Sequence, residues 1–489
     1  MKNRSLLLFV IVPLILAGCG HNEPVPSDSI IDSSSEESSA DSSSTESSSA
    51  ESSSSSDEGF DPSQGDVVVE MSPMLKTTNT DKPYQISLKY KDEYFTESAK
   101  TYNKDLSMLS FGAAMVTGSS DKANAFFTET GFSNITLHDF DKEPTKDTMG
   151  YIMAHKTIDD AELVAVTFRG LDYGLEWTNN FLIGKTGNHE GFNLRAEEAY
   201  TALQTYVNTY AQNKTLKLWI SGYSRGGALS NTLASIILKG DKVNVTQDNM
   251  FVYTYEAPTC VSEEDAIAYE NVFNITNEAD LIASIPPANY GLKRCGIDYQ
   301  IYDANVSTLL REFDEEAVLP EFVAVTATDP LEKDTDLLNF VLTSVFNKEE
   351  ISEDKTIYAN TREEYVDNYQ DGLSSCIGYI FALKPETRSQ LLEKLKTDAM
   401  TIIGDQTGQE LYNVIKPLLD KDNVVYDDAK LLADCALVIK AVGNLFVMVL
   451  FLYAINTDFA SDLSRLISMH YTETVYVLLK NAHSKEASN

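Results

Sequence analysis

The feature that most constrains this chain is a β-rich run that leads through Gly222-Tyr-Ser224-Arg-Gly226 directly into a helical pattern. Alternating apolar residues over 216–220 predict a strand, and the pattern over 228–238 predicts a helix. Between them Ser224 must turn a sharp corner that exposes its hydroxyl. Strand and helix approach so closely there that positions two before and two after the serine must lack a Cβ, as Gly222 and Gly226 do. The sequence therefore predicts a nucleophilic serine at a strand-to-helix turn.

The segments around this turn alternate between strand and helix patterns. The predicted strands are residues 149–157, 162–168, 216–220, 251–255 and 272–276, and the predicted helices are residues 190–210 and 228–238. The first two strands are joined across Asp159-Asp160, which is typical of a hairpin turn. Strands separated by helices predict an α/β fold with a mostly parallel sheet, which binds its ligand beyond the carboxyl ends of the strands.

A serine hydroxyl becomes a good nucleophile only when a base removes its proton. The chain has six histidines, of which four precede Ser224 and His483 lies in the polar tail. In folds with this turn the acid and the histidine follow the serine along the chain, which leaves His470 as the candidate base. A surface histidine between two helices is the alternative interpretation of His470.

The acid that orients the histidine should lie just past a strand between Ser224 and His470. The strand 272–276 ends at Asn277-Glu-Ala-Asp280, and we expect Asp280 to be the acid, with Glu278 as the rival. An ordinary turn residue is the alternative for either position.

Five motifs in order carry a resemblance to a known family. They are Val164-Ala-Val-Thr-Phe168-Arg169-Gly170, His189-Glu-Gly191-Phe192, the serine corner, Tyr255-Glu-Ala257-Pro258 and Asp280-Leu-Ile-Ala-Ser-Ile-Pro286. This set resembles the class 3 lipase family of α/β-hydrolases over about residues 149–290 and near His470. The resemblance implies an α/β-hydrolase fold, a Ser224–Asp280–His470 triad, and an oxyanion hole formed by the backbone N–H groups of Leu171 and Arg225. It implies no cofactor and no metal, and it makes His189 structural.

The chain departs from the family pattern in three respects. Tyr223 and Arg225 flank the serine where the family usually has His and Leu, and Leu171 stands where it usually has Thr or Ser. Asp280 and His470 are also separated by a long stretch of helical patterns, including one over 337–346 and one that begins at Pro385. We therefore expect a large helical insertion, a cap or lid, before the catalytic histidine.

The N-terminus is typical of an export signal. Lys2 and Arg4 precede an apolar stretch that ends at Leu16-Ala-Gly-Cys19, and this resembles a bacterial lipobox. The resemblance implies cleavage before Cys19 and acylation of that residue, which would anchor the protein at the outer face of a bacterial membrane. An ordinary signal peptide is the alternative. Residues 21–66 contain no Lys or Arg and are rich in Ser, Asp and Glu, which predicts a disordered tether.

The net charge, the apolar runs and the cysteines narrow the class of protein further. A net charge of -36 argues against nucleic-acid binding through a basic surface. The apolar run 441–455 is too short to span a bilayer and predicts a buried helix, with membrane insertion as the alternative. Four cysteines follow Cys19, and we expect either a disulfide, with Cys260–Cys295 closing the shortest loop, or buried thiols. The predicted segments are a signal peptide (1–18), an anchor and tether (19–66), an α/β-hydrolase core (67–300), a helix-rich insertion (301–460) and a C-terminal segment with the histidine (461–489).

These patterns together predict a lipid-anchored, extracytoplasmic serine hydrolase that cleaves carboxylic esters. A phospholipase or an acyltransferase on the same scaffold is one alternative. A surface binding protein that keeps the serine corner as a relic of its fold is another. The sequence leaves the acyl chain, the head group and the oligomeric state open.

Overall fold

The computed structural model describes residues 63–74, 83–171, 174–212, 214–303, 305–315, 361–405, 407–439, 468–481 and 485–486. The predicted signal peptide, Cys19, nearly all of the tether and the helical patterns over 337–346 and 441–455 lie outside these residues. Within them, no helix combines the length and apolar character needed to cross a bilayer.

The described strands are β1 Gln64–Met71, β2 Tyr84–Lys91, β3 Ser133–His138, β4 Tyr151–Ile158, β5 Ala161–Phe168, β6 Thr215–Tyr223, β7 Met250–Tyr255, β8 Val261–Ser262, β9 Val272–Thr276, β10 Leu292–Lys293, β11 Ile297–Gln300 and β12 Lys485–Glu486. Within the described residues, a central sheet of eight strands runs in the order β12-β11-β9-β7-β6-β5-β4-β3. Strands β5, β6, β7, β9 and β11 are mutually parallel, whereas β3, β4 and β12 are antiparallel to their neighbours. The predicted mostly parallel sheet is therefore confirmed.

The central strands of this sheet are buried on both sides because helices cover both faces. In β6, Leu218 and Ile220 face one core and Trp219 and Tyr223 face the other, as the two-residue period of a strand requires. The helices are α1 Lys104–Met115, α2 Ser120–Glu129, α3 Glu190–Tyr210, α4 Arg225–Lys239, α5 Val306–Phe313, α6 Arg362–Tyr365, α7 Asp371–Ala382, α8 Pro385–Gly404, α9 Gln409–Asp422 and α10 Thr472–Asn481. Helices α3 and α4 pack against the Leu218 face, and α1, α2 and α10 pack against the Trp219 face.

The predicted strands and helices of the core are confirmed, with ends that differ by a few residues. The two-residue turn at Asp159-Asp160 connects β4 and β5, and Asp159 has a φ of 52°. The sequence did not predict the antiparallel pair of strands β1 and β2 or helices α1 and α2. Helix α5 falls in the stretch assigned to the insertion, yet its Val306 and Leu310 belong to the main core.

A helical segment comprising residues 361–405 and 407–439 forms a hydrophobic core of its own. It contains α6 to α9 and the helical residues 428–439, and α8 begins at Pro385 as predicted. The segment contacts the 3-10 helix Gly174–Phe181, where Ser374 and Phe381 meet Thr178 and Trp177. This 3-10 helix follows closely after Leu171 in the chain.

Arg362 anchors the helical segment to the core. Its guanidinium is largely buried and donates hydrogen bonds to the carbonyl oxygens of residues 183, 184, 186, 187 and 188. A planar group with five N–H donors can bind several carbonyls of one loop in this way.

The four described cysteines, Cys260, Cys295, Cys376 and Cys435, are buried free thiols. Cys260 and Cys295 both contact Asn231, through hydrogen bonds to its side-chain and backbone oxygens. Of the two expectations, the structure has the buried thiols rather than the bridge.

Candidate active site

The corner at Ser224 has the strained backbone that the sequence predicts. Ser224 has φ 53° and ψ −124°, a conformation that costs energy for any residue with a side chain. Strand β6 ends at Tyr223 and helix α4 begins at Arg225, so the serine alone makes the turn. Its backbone N–H donates to the carbonyl of Tyr255 at the end of β7 (2.8 Å).

The two glycines of the corner are required by close backbone contacts. A Cβ at Gly222 would lie 2.2 Å from the carbonyl oxygen of Gly226, and a Cβ at Gly226 would lie 2.5 Å from the carbonyl oxygen of Phe168. Both neighbours are backbone atoms within packed elements, so they cannot move aside as a flexible side chain would. These glycines let the helix approach the ends of β5 and β6.

The three side chains predicted to form the triad lie together. The Oγ of Ser224 is 2.9 Å from Nε2 of His470, and Nδ1 of His470 is 2.6 Å from Oδ2 of Asp280. A carboxylate accepts from Nδ1–H, so the imidazole presents its Nε2 lone pair to the serine hydroxyl. Ser224 and His470 are 9% and 7% exposed and Asp280 is fully buried, so water has little access to the hydrogen bonds.

Asp280, rather than its rival Glu278, faces the imidazole. Its other oxygen, Oδ1, accepts the backbone N–H of Ile282 (2.7 Å), and its own N–H donates to the carbonyl of Asn277 (2.9 Å). Both carboxylate oxygens are thus engaged as acceptors, and Glu278 is partly exposed.

The proposed oxyanion donors lie on two segments that meet at the corner. A Cβ at Gly170 would lie 1.9 Å from the carbonyl oxygen of Tyr223 and 3.2 Å from the backbone nitrogen of Gly226. The residue after Gly170 is Leu171, and the residue after Ser224 is Arg225 at the first turn of α4. Backbone N–H groups at a helix N-terminus are suited to stabilise a developing negative charge.

Tyr223, one of the departures from the family pattern, holds the histidine loop in place. Its hydroxyl donates to the backbone carbonyl of His470, and its ring centroid lies 5.2 Å from that of the imidazole. The residue before the nucleophile therefore contacts the base across 247 positions of sequence.

Arg225, the second departure, belongs to a buried ion network. Its guanidinium is 1% exposed and lies 3.2 Å from a carboxylate oxygen of Glu176, whose other oxygen pairs with Arg169. That second oxygen also accepts the backbone N–H of Gly150 (3.2 Å). The network ties together Arg169, two residues before Leu171, and Arg225. Sequence reasoning missed it, because a glutamate in a polar loop shows no local sign of burial.

His189, expected to be structural, lies away from the triad at the start of α3. Its Nε2–H donates to the carbonyl of Asn180 (3.2 Å), and its ring stacks on Phe192 with centroids 4.0 Å apart. Burial lowers the pKa of His189 to about 3, with a smaller contribution from the positive charge of Arg362. The imidazole is therefore neutral at physiological pH.

No cluster of three or more His, Cys, Asp or Glu side chains suited to bind a metal ion occurs in the part of the chain that the structure describes. The residues that converge are a hydroxyl, an imidazole and a carboxylate. This set supports nucleophilic acyl transfer.

A strained serine between a parallel strand and a helix, with an acid and a histidine that follow it in the chain, defines an α/β-hydrolase arrangement. Residues 165–290 match the family model described as Lipase (class 3). The chain is 24% identical to a curated lipase of Rhizomucor miehei in an alignment of 167 residues, and the match covers 31% of this chain and 45% of that protein. The chain thus spans less than half the length of the curated relative that it matches.

Solved structures give a weaker overall likeness. The native Rhizomucor miehei lipase propeptide complex is 16% identical, with 42% of this chain and 71% of that chain covered and a TM-score of 0.32. The lipase from Rhizopus microsporus var. chinensis is 17% identical, with 41% and 75% covered and a TM-score of 0.28.

Proposed function

We propose that this protein is a serine hydrolase that cleaves carboxylic esters of lipids through an acyl-enzyme on Ser224. The observation that carries the proposal is the continuous hydrogen-bonded series from Ser224 Oγ through His470 to Asp280. The class 3 lipase match over residues 165–290 supports a lipid ester as the substrate class.

The geometry supports the following reaction. His470 Nε2 takes the proton of the Ser224 hydroxyl as Oγ attacks the ester carbonyl, and Asp280 stabilises the resulting imidazolium. The N–H groups of Leu171 and Arg225 bind the oxyanion of the tetrahedral intermediate. The imidazolium then returns the proton to the departing alcohol, which leaves an acyl-serine. His470 then deprotonates a water molecule that attacks the acyl carbonyl; the bond between the acyl carbon and Ser224 Oγ breaks, the imidazolium returns the proton to Oγ, and the carboxylic acid leaves.

We further propose that the helical segment caps the site. Several of its contacts fall on residues 178–183, which follow the proposed oxyanion residue Leu171 in the chain, and Ser224 itself is only slightly exposed. A cover that shields the serine in this way would exclude water until an acyl chain is bound.

Anchoring by a lipidated Cys19 is a separate proposal, supported by the sequence before that residue. It predicts that the full-length protein fractionates with membranes when expressed in a bacterium and incorporates labelled palmitate. Cys19→Ser should abolish the labelling and release the protein, whereas Cys376→Ser should leave both unchanged. Equal labelling of the two variants would refute the anchor.

The hydrolase proposal is tested by covalent labelling with a fluorophosphonate, which reacts only with an activated serine. We expect labelling of the wild-type protein and loss of labelling in Ser224→Ala and His470→Ala. Hydrolysis of p-nitrophenyl butyrate should fall about 10⁴-fold or more in kcat in both variants. His138→Ala, which removes a half-exposed histidine of strand β3, is the matched control and should keep the wild-type kcat and labelling. Wild-type turnover by Ser224→Ala would refute the proposal.

A second assay addresses the substrate. Activity on an emulsified triglyceride that increases sharply above its solubility limit would favour a lipase, and a simple saturation curve would favour an esterase of soluble substrates. A series of esters with increasing acyl chain length then defines the preferred chain.

A further inference from the structure

A second buried carboxyl group lies behind the acid of the triad. Glu256 follows β7 directly, is fully buried, and donates its backbone N–H to the carbonyl of Ile275 (2.9 Å). Its side chain is hydrogen-bonded to that of Asp280. The reaction described above uses Ser224, His470 and Asp280, and leaves Glu256 without a role.

The backbone at Glu256 is strained. Its φ is 46°, in the left-handed region that glycine occupies freely and that residues with a Cβ rarely adopt. A glycine would avoid this strain and would also avoid burying an acid. Because Glu256 carries both the backbone strain and the cost of burying an acid, its interactions must hold it in this conformation. Backbone outliers of this kind cluster at functional sites.

The contacts show which of the two carboxyl groups carries the proton. Asp280 accepts from two separate N–H groups, Ile282 N–H on one oxygen and His470 Nδ1–H on the other, whereas the two oxygens of Glu256 share the single N–H of Asn277, so Asp280 is the ionised partner. Glu256 must therefore provide the hydrogen between them. Its oxygens also lie 3.0 Å from the backbone N–H of Asn277, which opens the turn that carries Asp280.

The charged surroundings agree with a neutral Glu256. Burial, followed by the negative charge of Asp280, raises the pKa of Glu256 well above its ordinary value, and the guanidinium of Arg294 opposes this only in part. Arg294 is itself paired with Asp298 (2.8 Å) and donates to the carbonyls of Ala257 and Ala283. Two carboxylates in contact in a buried site cannot both be ionised.

We propose that Glu256 is a positioning residue whose neutral carboxyl donates a hydrogen bond to Asp280 and holds this carboxylate against His470. The inference rests on the proposed function, because it extends the same series of hydrogen bonds to a fourth member. Glu256 acts in two ways. It accepts a hydrogen bond from Asn277 N–H, which fixes the 277–280 turn, and its hydrogen bond to Asp280 withdraws negative charge from that carboxylate. The second effect tempers how strongly Asp280 stabilises the imidazolium of His470.

The test compares Glu256→Gln with Glu256→Leu in the full chain, with the ester assay above. The glutamine amide can donate to Asp280 and its oxygen can accept from Asn277 N–H, so kcat should stay within about threefold of wild type. Leucine fills a similar volume without either bond, so kcat should fall about 10- to 100-fold while KM changes less than twofold. The acid limb of the kcat–pH profile should also shift upward in Glu256→Leu and not in Glu256→Gln, because an unmodulated Asp280 favours the protonated imidazole.

Glu278→Gln is the matched control, since Glu278 lies in the same turn but is partly exposed, and it should retain wild-type kinetics. Infrared spectroscopy gives a readout that does not require the leucine variant to fold. The band of a protonated buried carboxyl should be present in the wild-type protein at neutral pH and absent from Glu256→Gln.

The inference is overturned if Glu256→Leu keeps the wild-type kcat and pH profile, if Glu256→Gln loses as much activity as Glu256→Leu, or if the infrared band is absent from wild type. An inactive wild-type protein that fluorophosphonate does not label would instead refute the proposed function, so the two failures are distinguishable.

Discussion

Replacing Glu176 with glutamine should expose how much the fold depends on the buried ion network beside Ser224. The change preserves the size of the side chain and removes its charge. Glu176 is fully buried, and Arg169 and Arg225, whose guanidinium groups face it, are 5% and 1% exposed. The variant would therefore leave two positive charges in the interior without the carboxylate that compensates them.

The magnitude follows from this burial. Breaking a buried ion pair by removing one partner costs about 3–5 kcal/mol, because the remaining charge stays desolvated. An exposed pair contributes only about 0–1 kcal/mol. With an unfolding slope of about 1–3 kcal/mol per molar urea, the midpoint of Glu176→Gln should fall by at least about 1 M. Glu198, which is paired with Arg195 at 2.8 Å and is 56% exposed, provides the control: Glu198→Gln should barely change the midpoint.

Urea denaturation followed by tryptophan fluorescence measures both midpoints. A double-mutant cycle with Arg225→Leu adds a second criterion, because the leucine removes one of the charges that Glu176 compensates. The double variant should be less destabilised than the sum of the two single variants. If Glu176→Gln lowers the midpoint no more than Glu198→Gln does, the ion network does not stabilise the fold and the reasoning is refuted.

Three further predictions concern the corner, the buried histidine and the helical segment. Gly226→Ala should lower the free energy of unfolding, measured by urea denaturation, by about 1–3 kcal/mol or more, because the new Cβ would lie 2.5 Å from the carbonyl oxygen of Phe168. Gly65→Ala is the control and should not lower it, because a Cβ there would have no neighbour within 4 Å. The pKa of His189 is lowered to about 3, so at mildly acidic pH the unfolded chain binds a proton that the folded protein does not. The free energy of unfolding should therefore fall by up to about 1.4 kcal/mol per pH unit as pH drops from about 6.5 towards 3. Denaturation series at several pH values should show that His189→Gln removes this dependence. Arg362→Lys should make the helical segment more sensitive to limited proteolysis, since an ammonium cannot bind five carbonyls of one loop; unchanged cleavage rates would contradict this role.

The serine corner could be predicted because its requirements are local. The alternation in β6, the glycines at 222 and 226 and the apolar pattern of α4 lie within about 25 residues, and each reflects the geometry of its own element. The same holds for the other core strands and for α3, whose bounds match the predicted helix.

The histidine was a prediction of a different kind. The prediction of His470 rests on chain order and on the small number of histidines that follow Ser224, rather than on a local pattern. The sequence could not show that its imidazole reaches the serine across 246 positions, and it predicted Asp280 as the acid while leaving Glu278 as a rival. The structure brings Asp280 to the imidazole because the 277–280 turn directs that side chain inward, beside Glu256.

The sequence by itself thus determined the elements and the serine corner, since periodicity and glycine spacing act over a few residues and need no knowledge of distant partners. Only the tertiary structure decided which polar groups are buried together, as with Glu176 between two arginines and Glu256 behind Asp280. Burial is a property of the packed chain, because the dielectric environment of a side chain depends on every segment folded over it. The sequence therefore does not distinguish an exposed glutamate such as Glu198 from Glu256, which is buried beside the acid of the triad.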